Sequence, residues 1–160
     1  MACVSRIVVI GIGQELRGDD AAGLEIVRQW QIKHPDTARQ VHVELSPLPG
    51  LGLLDLLEGA QTAILVDAVH STEKPGTVHT VTMENLASFS PGTSTAHGFG
   101  VAETLALGKK VSPESLPEHV ILLGIEIQQI ELGQPLSSVV RASIPQAIQI
   151  LEETVRGFTE

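Results

Sequence analysis

Aromatic side chains are almost missing from this chain, which has one Trp, three Phe and no Tyr in 160 residues. Binders of single-stranded nucleic acid stack bases on such rings, so that class is disfavoured. The core must be built from Leu, Ile, Val and Ala. Basic residues are outnumbered, 10 against 19 acidic, for a net charge of −9. The sole adjacent basic pair is Lys109-Lys110. An electrostatic grip on DNA, RNA or an anionic membrane is therefore not expected. The acidic balance would favour a basic partner but does not identify one. Cysteine occurs once, at Cys3. Neither a disulfide framework nor a thiolate metal site can form within one chain. A reducing, cytoplasmic setting is the expectation. Long apolar runs are missing too. Residues 7–12 are too short for a signal-peptide core and no cleavage-site pattern follows them. No run approaches membrane-spanning length.

What is present suits a single α/β domain over residues 1–160, with one sizeable core. The chain is organised around RIVVIGIGQELRGDDAAG, residues 6–23. Ile7, Val8, Val9 and Ile10 form an unbroken β-branched run. Such a run predicts a strand buried on both faces, as in a parallel sheet. Gly11 and Gly13 follow, so the chain turns where the strand ends. A helix is predicted from Ala21. Strand, turn and helix in this order often bind phosphate, but two details oppose that reading here. The dinucleotide fingerprint needs glycine where Leu16 stands. The P-loop needs Gly-Lys-Ser/Thr where Gly18-Asp19-Asp20 stands. Two carboxylates at the positive end of a helix would repel a phosphate. They suit a cation or a positive substrate group. The bland reading is that one of them caps the helix and the other is spare.

The rest of the chain alternates strands and helices. Residues 21–33 predict a helix with Leu24, Val27 and Trp30 on its apolar stripe. Residues 41–45 alternate as a half-buried strand, and residues 51–57 predict a short apolar helix. Residues 63–69 form a second continuous apolar strand, placed beside the first. Residues 77–83 alternate, as an antiparallel edge strand would. Residues 88–97 read as a loop, residues 99–107 as a helix and residues 109–117 as a polar loop. Residues 119–125 are a third buried strand, and residues 126–135 are irregular. A last helix lies within residues 138–158. It is either capped by Ser143 or kinked at Pro145. The expected architecture is three-layer α/β/α, with a mostly parallel sheet of about five strands and one antiparallel edge.

Right-handed crossovers bring the carboxyl ends of parallel strands to one rim, where ligands of open α/β sheets bind. Asp20 follows the first strand. Asp67 interrupts the second apolar strand near its end, where a carboxylate is costly unless it is paired or employed. His97 precedes a helix that should return to the same rim. Two carboxylates and an imidazole suit a divalent first-row metal such as zinc or nickel, with positions left open. Among the other histidines, His70 competes with His97 because it lies three residues after Asp67. His34, His42, His79 and His119 fit structural positions.

The block GIGQELRGDDAAG resembles the opening motif G-x-G-N-x-x-x-x-D-[DE]-x-x-G of the hydrogenase maturation endopeptidases. ILVDAV resembles their second block, a strand ending in Asp-Ala. Residues 95–98 match a loop that supplies a histidine. GIEIQQIELGQPLS resembles the segment before their C-terminal helix. The resemblance implies an α/β fold with five strands. It implies an endopeptidase that cuts a C-terminal extension from a nickel–iron hydrogenase large-subunit precursor after nickel insertion. It also implies that Asp20, Asp67 and His97 bind the metal, most simply the substrate's own nickel. That metal either activates a water or serves as the cue for cleavage. Two departures stand out. Gln14 replaces the usual Asn. Leu45-Ser46-Pro47-Leu48 replaces a D-G-G-T-like segment associated with substrate choice. A non-cleaving assembly protein of the same fold and a flavodoxin-like nucleotide or flavin binder are the alternatives.

Overall fold

The computed structural model describes residues 6–47, 50–89 and 100–160. Five strands form one sheet in the order β2-β1-β3-β5-β4. They are β1 (Ile7–Ile12), β2 (His42–Ser46), β3 (Thr62–Val69), β4 (Val78–Thr82) and β5 (His119–Glu126). The first four in spatial order run parallel, and β4 closes one edge antiparallel to β5. Residues of β1 and β3 are buried throughout, as strands covered on both faces must be. The edge strand β2 is only partly covered.

Helices cover both faces. On one lie α1 (Ala22–Lys33) and α6 (Ser138–Thr159), whose Ile26, Val27, Trp30, Ile148 and Leu151 meet Val9, Ile64, Val66 and Leu123 of the sheet. On the other lie α3 (Gly52–Leu57), α4 (Met83–Phe89) and α5 (Val101–Val111). Their Leu53, Leu57, Leu86, Val101 and Leu105 meet Val8, Ile10, Leu65 and Leu122. The short α2 (Pro35–Ala38) links α1 to β2. Alternate residues of one strand thus serve two cores, because side chains of a strand point to opposite faces. Among the described residues no helix is long and apolar enough to cross a membrane.

Several boundaries differ from the sequence reading. A 3-10 turn over Gly18–Ala21 precedes α1, so the helix proper begins at Ala22. The α4 helix was not anticipated: it is short and follows an alternating strand without a break in polarity. The α5 helix runs on to Val111 through Lys109 and Lys110, which lie in its last turn and complement the helix dipole. The stretch read as a loop therefore shrinks to residues 112–117, which include a 3-10 turn over Pro113–Ser115. In α6 the cap is Ser137, whose Oγ accepts from Val140 N–H at 3.4 Å, and not Ser143. Ser143 lies inside the helix and donates to the Val139 and Val140 carbonyls. Pro145 is also carried within α6. Of the loop expected over residues 88–97, residues 88 and 89 instead end α4, and residues 90–97, with His97, lie outside the described residues.

Candidate functional site

The strand order places a switch point between β1 and β3. From β1 the chain passes to α1 on one face and on to β2. From β3 it moves the other way, toward β5 and β4. A crevice opens at the carboxyl ends of such a pair. The ladder between β1 and β3 ends where Gly11 pairs with Val66. Asp67 comes one residue later, at the point where β1 leaves its side. On the other flank Asp67 pairs with Gly124, which adds no side chain. Asp67 is 1% exposed, and its Oδ1 accepts the Ala68 N–H at 2.8 Å.

The turn after β1 returns a second carboxylate to this rim. Gly13 N–H donates to the Ser46 carbonyl at 3.2 Å, stitching the turn to the end of β2. The turn over Gly18–Ala21 packs against β3. Asp20 is fully buried, and its Oδ2 accepts the Gln14 N–H at 3.1 Å. That bond is made by main chain, so replacing Asn with Gln at position 14 leaves it intact. The Gln14 side chain accepts instead from Arg17 at 3.4 Å. Space here is tight. A Cβ at Gly13 would lie 2.1 Å from the Asp20 carbonyl oxygen. A Cβ at Gly23 would lie 2.3 Å from the Val66 carbonyl oxygen. Only glycine at both positions lets the turn sit this close to β1 and β3.

Neither carboxylate caps α1, contrary to the capping expectation. The residue before α1 is Ala21, and it makes no side-chain cap. Asp19 looks away, to the segment joining β5 to α6. Its Oδ2 accepts Gln128 N–H at 2.8 Å, Gln129 N–H at 3.1 Å and Ser137 Oγ–H at 2.8 Å. Its Oδ1 accepts Ser137 N–H at 2.6 Å. The turn's own amides are also used. Gly18 N–H donates to Gln134 O, Asp19 N–H to Gln129 O and Asp20 N–H to Arg17 O. A phosphate would find these three donors already committed.

The structure brings Asp20 and Asp67 to one rim from separate elements. His97 lies outside the described residues, and among those residues no group of three or more His, Cys, Asp and Glu could hold a metal ion. The start of α5 does reach this side of the sheet: Thr104 Oγ1 donates to Gly50 O, just ahead of α3, at 3.5 Å. His70 is exposed just past β3. His42 pairs with Glu44 on the outer strand, and the His119 ring lies 5.4 Å from that of Phe158. His79 pairs with Glu126 at 2.9 Å.

Two buried carboxylates escaped the sequence reading. Asp19 is half of a doubled Asp in which one residue is expected to cap the helix and the other to be spare, since nothing in the doubling says which amides each will meet. Glu126, 1% exposed, was placed in an irregular stretch. It ends β5 and accepts Ser71 N–H at 3.0 Å as well as the Ser71 hydroxyl and His79. It thereby braces the loop that follows β3. The argument that singled out Asp67, a carboxylate closing a buried apolar strand, applies equally to Glu126 and would have found it.

Comparison with known proteins gives a consistent result. A family model described as "Hydrogenase maturation protease" matches residues 48–154. The hydrogenase expression/formation protein HupD of Thiocapsa roseopersicina is 27% identical over 154 residues, 95% of this chain and 68% of its own length. The hydrogenase 2 maturation protease of Escherichia coli is 26% identical, covering 90% of this chain and 87% of its own. Among solved structures, the hydrogenase maturating endopeptidase HybD from E. coli superposes with a TM-score of 0.75 at 25% identity. It covers 95% of this chain and 93% of its own. The HybD maturation protease from Thermococcus kodakarensis gives 0.71 at 25% identity, over 94% of this chain and 99% of its own.

Proposed function

This chain belongs to the hydrogenase maturation protease family, an endopeptidase of hydrogenase maturation, and on that premise we propose its substrate and site. The substrate is the large-subunit precursor of a nickel–iron hydrogenase. The reaction removes the precursor's C-terminal extension once nickel has been inserted. Asp20, Asp67 and His97 contact that nickel.

The observation that carries this reading is the pair of buried carboxylates, Asp20 and Asp67, at the switch-point crevice. Each carboxylate takes a main-chain amide, and two like charges brought to one rim suit a cation between them. Carboxylate oxygens with one imidazole match a first-row divalent ion that keeps open positions. Asp20, Asp67 and His97 would hold the ion, which would supply polarisation of the scissile carbonyl or serve as the mark of a precursor that has received its metal. The chain's own contribution is orientation. The Gln14 amide sets the Asp20 carboxylate, and the Ala68 amide sets that of Asp67. Preset carboxylates in a water-poor crevice lose little freedom when the substrate arrives. Leu45, 37% exposed at the end of β2, replaces a charged position of the resembling family beside the turn. Its apolar character favours a precursor different from the one an acidic side chain would select.

The test is co-expression with the nickel–iron hydrogenase precursor, with nickel supplied, and intact mass spectrometry of the large subunit. Loss of a C-terminal peptide with wild type is expected, and an unchanged mass with Asp20→Ala, Asp67→Ala or His97→Ala or without nickel. A nickel-loaded precursor that keeps its full mass beside wild type refutes the assignment.

A further inference from the structure

We propose that Asp19 is a positioning residue. It fixes the Asp20 carboxylate by locking the Gly18–Ala21 turn onto residues 128–137. The proposal rests on the reading of Asp20 as a site residue.

Asp19 is fully buried and spends both carboxylate oxygens on one distant segment. It accepts two successive main-chain amides, Gln128 and Gln129, and both the amide and the hydroxyl of Ser137. Ser137 is the cap of α6, so the same carboxylate fastens the longest helix of the fold. The locking is reciprocal. Gly18 N–H and Asp19 N–H donate back to Gln134 O and Gln129 O at 3.0 and 2.9 Å, and Gly133 N–H donates to Leu16 O at 2.7 Å. A helix cap needs one acceptor for one or two local amides. A charged acceptor with four donors spanning residues 128–137 exceeds that requirement, and charge-assisted bonds of this kind are short and directional.

Asp20 gains from this because it is next in the chain, its Cα about 3.8 Å from that of Asp19. On the opposite side its carbonyl presses on Gly13, and its Oδ2 takes the Gln14 amide. The turn is therefore held from two sides: by β1 and the Gln14 amide, and by Asp19 and residues 128–137. Release of the second hold leaves Asp20 attached but free to rotate with its turn.

Asp19→Asn tests this with least change of shape. Its amide nitrogen must replace one oxygen and meets an N–H or O–H donor there. Outer partners that orient a ligating side chain are worth about 10–100-fold in affinity or activity. The expected result is a kcat for precursor processing lowered by about that factor, with KM unchanged. Val155→Ala, in the core of α6, supplies a variant destabilised without touching the turn. Its kcat should stay at the wild-type value below its melting temperature. A wild-type kcat in Asp19→Asn, or an equal loss in Val155→Ala, overturns the proposal. Hydrogen exchange read by mass spectrometry gives an arm independent of activity. Faster exchange at residues 14–21 and 128–137 together, with the sheet unchanged, is expected in Asp19→Asn. Unchanged exchange at residues 14–21 overturns it. Should wild type leave the precursor intact while exchange responds as expected, the cleavage reading falls and the lock stands.

Discussion

Gly23→Ala adds one methyl group at the seam between α1 and the sheet, and its cost follows from the geometry. The new carbon would lie 2.3 Å from the Val66 carbonyl oxygen and 2.4 Å from that of Ile12. Ordinary contact begins at 3.4 Å, so the position is short of room by about 1 Å. Neither obstacle is a flexible side chain. Both are main-chain atoms of β1 and β3, and β3 is gripped by β1 and β5. The first turn of α1 must lift instead. Overpacking of this kind costs about 1–3 kcal/mol, and the rigid obstacles argue for the upper end. For a chain of this length each kcal/mol lowers the melting temperature by about 2–4 °C, so a fall of about 6–12 °C is expected. Asp20 lies a turn upstream and lifts with the helix, while Asp67 stays in its strand. A misplacement of about 1 Å costs on the order of 10²-fold in rate. Thermal melting and the time course of precursor processing, run below both melting temperatures, measure the two effects. Gly157→Ala in α6 is the control, because a Cβ there meets nothing within 4 Å. It should stabilise by about 0.5–1 kcal/mol and leave processing alone. A Gly23→Ala protein that melts and processes as wild type would refute the reasoning, since it would mean that the helix is not seated against these carbonyls.

Other perturbations separate stability from chemistry. Glu152 accepts the indole N–H of the fully buried Trp30 at 2.8 Å and the Thr37 hydroxyl at 2.7 Å. Glu152→Ala should cost about 1–3 kcal/mol in urea denaturation for the indole left unpaired, with processing unchanged; an unaltered midpoint would count against it. Glu126→Ala removes the acceptor for Ser71 and His79 and should cost about 3 kcal/mol. Because it frees the loop after β3, hydrogen exchange should rise over residues 70–76, and flat exchange there would exclude the bracing role.

The legible parts of the fold were those written in local pattern. Nearly continuous apolar runs placed β1, β3 and β5, because strands covered on both faces are built mostly from apolar side chains. The 3.6-residue spacing placed α1 and α6. The α4 helix follows its strand with no change of polarity to mark it, and α5 continues past the point where its sequence turns from apolar to basic, so a change of polarity marks neither boundary. At the candidate site, Asp20 and Asp67 stand out in the sequence because each is a carboxylate set against a buried strand or its turn, a costly choice visible in one dimension.

By itself, then, the amino-acid order determined the sheet's central strands, the helices α1 and α6 and two carboxylates at one rim. Tertiary structure alone decided which partner each acid would meet. Asp19 and Asp20 are neighbours of the same type, yet one accepts amides more than a hundred residues away and the other accepts an amide six residues back. The physical reason is that the donors are main-chain N–H groups. Every residue but proline carries one, so they leave no mark in the sequence, and only the folded path of the chain selects among them.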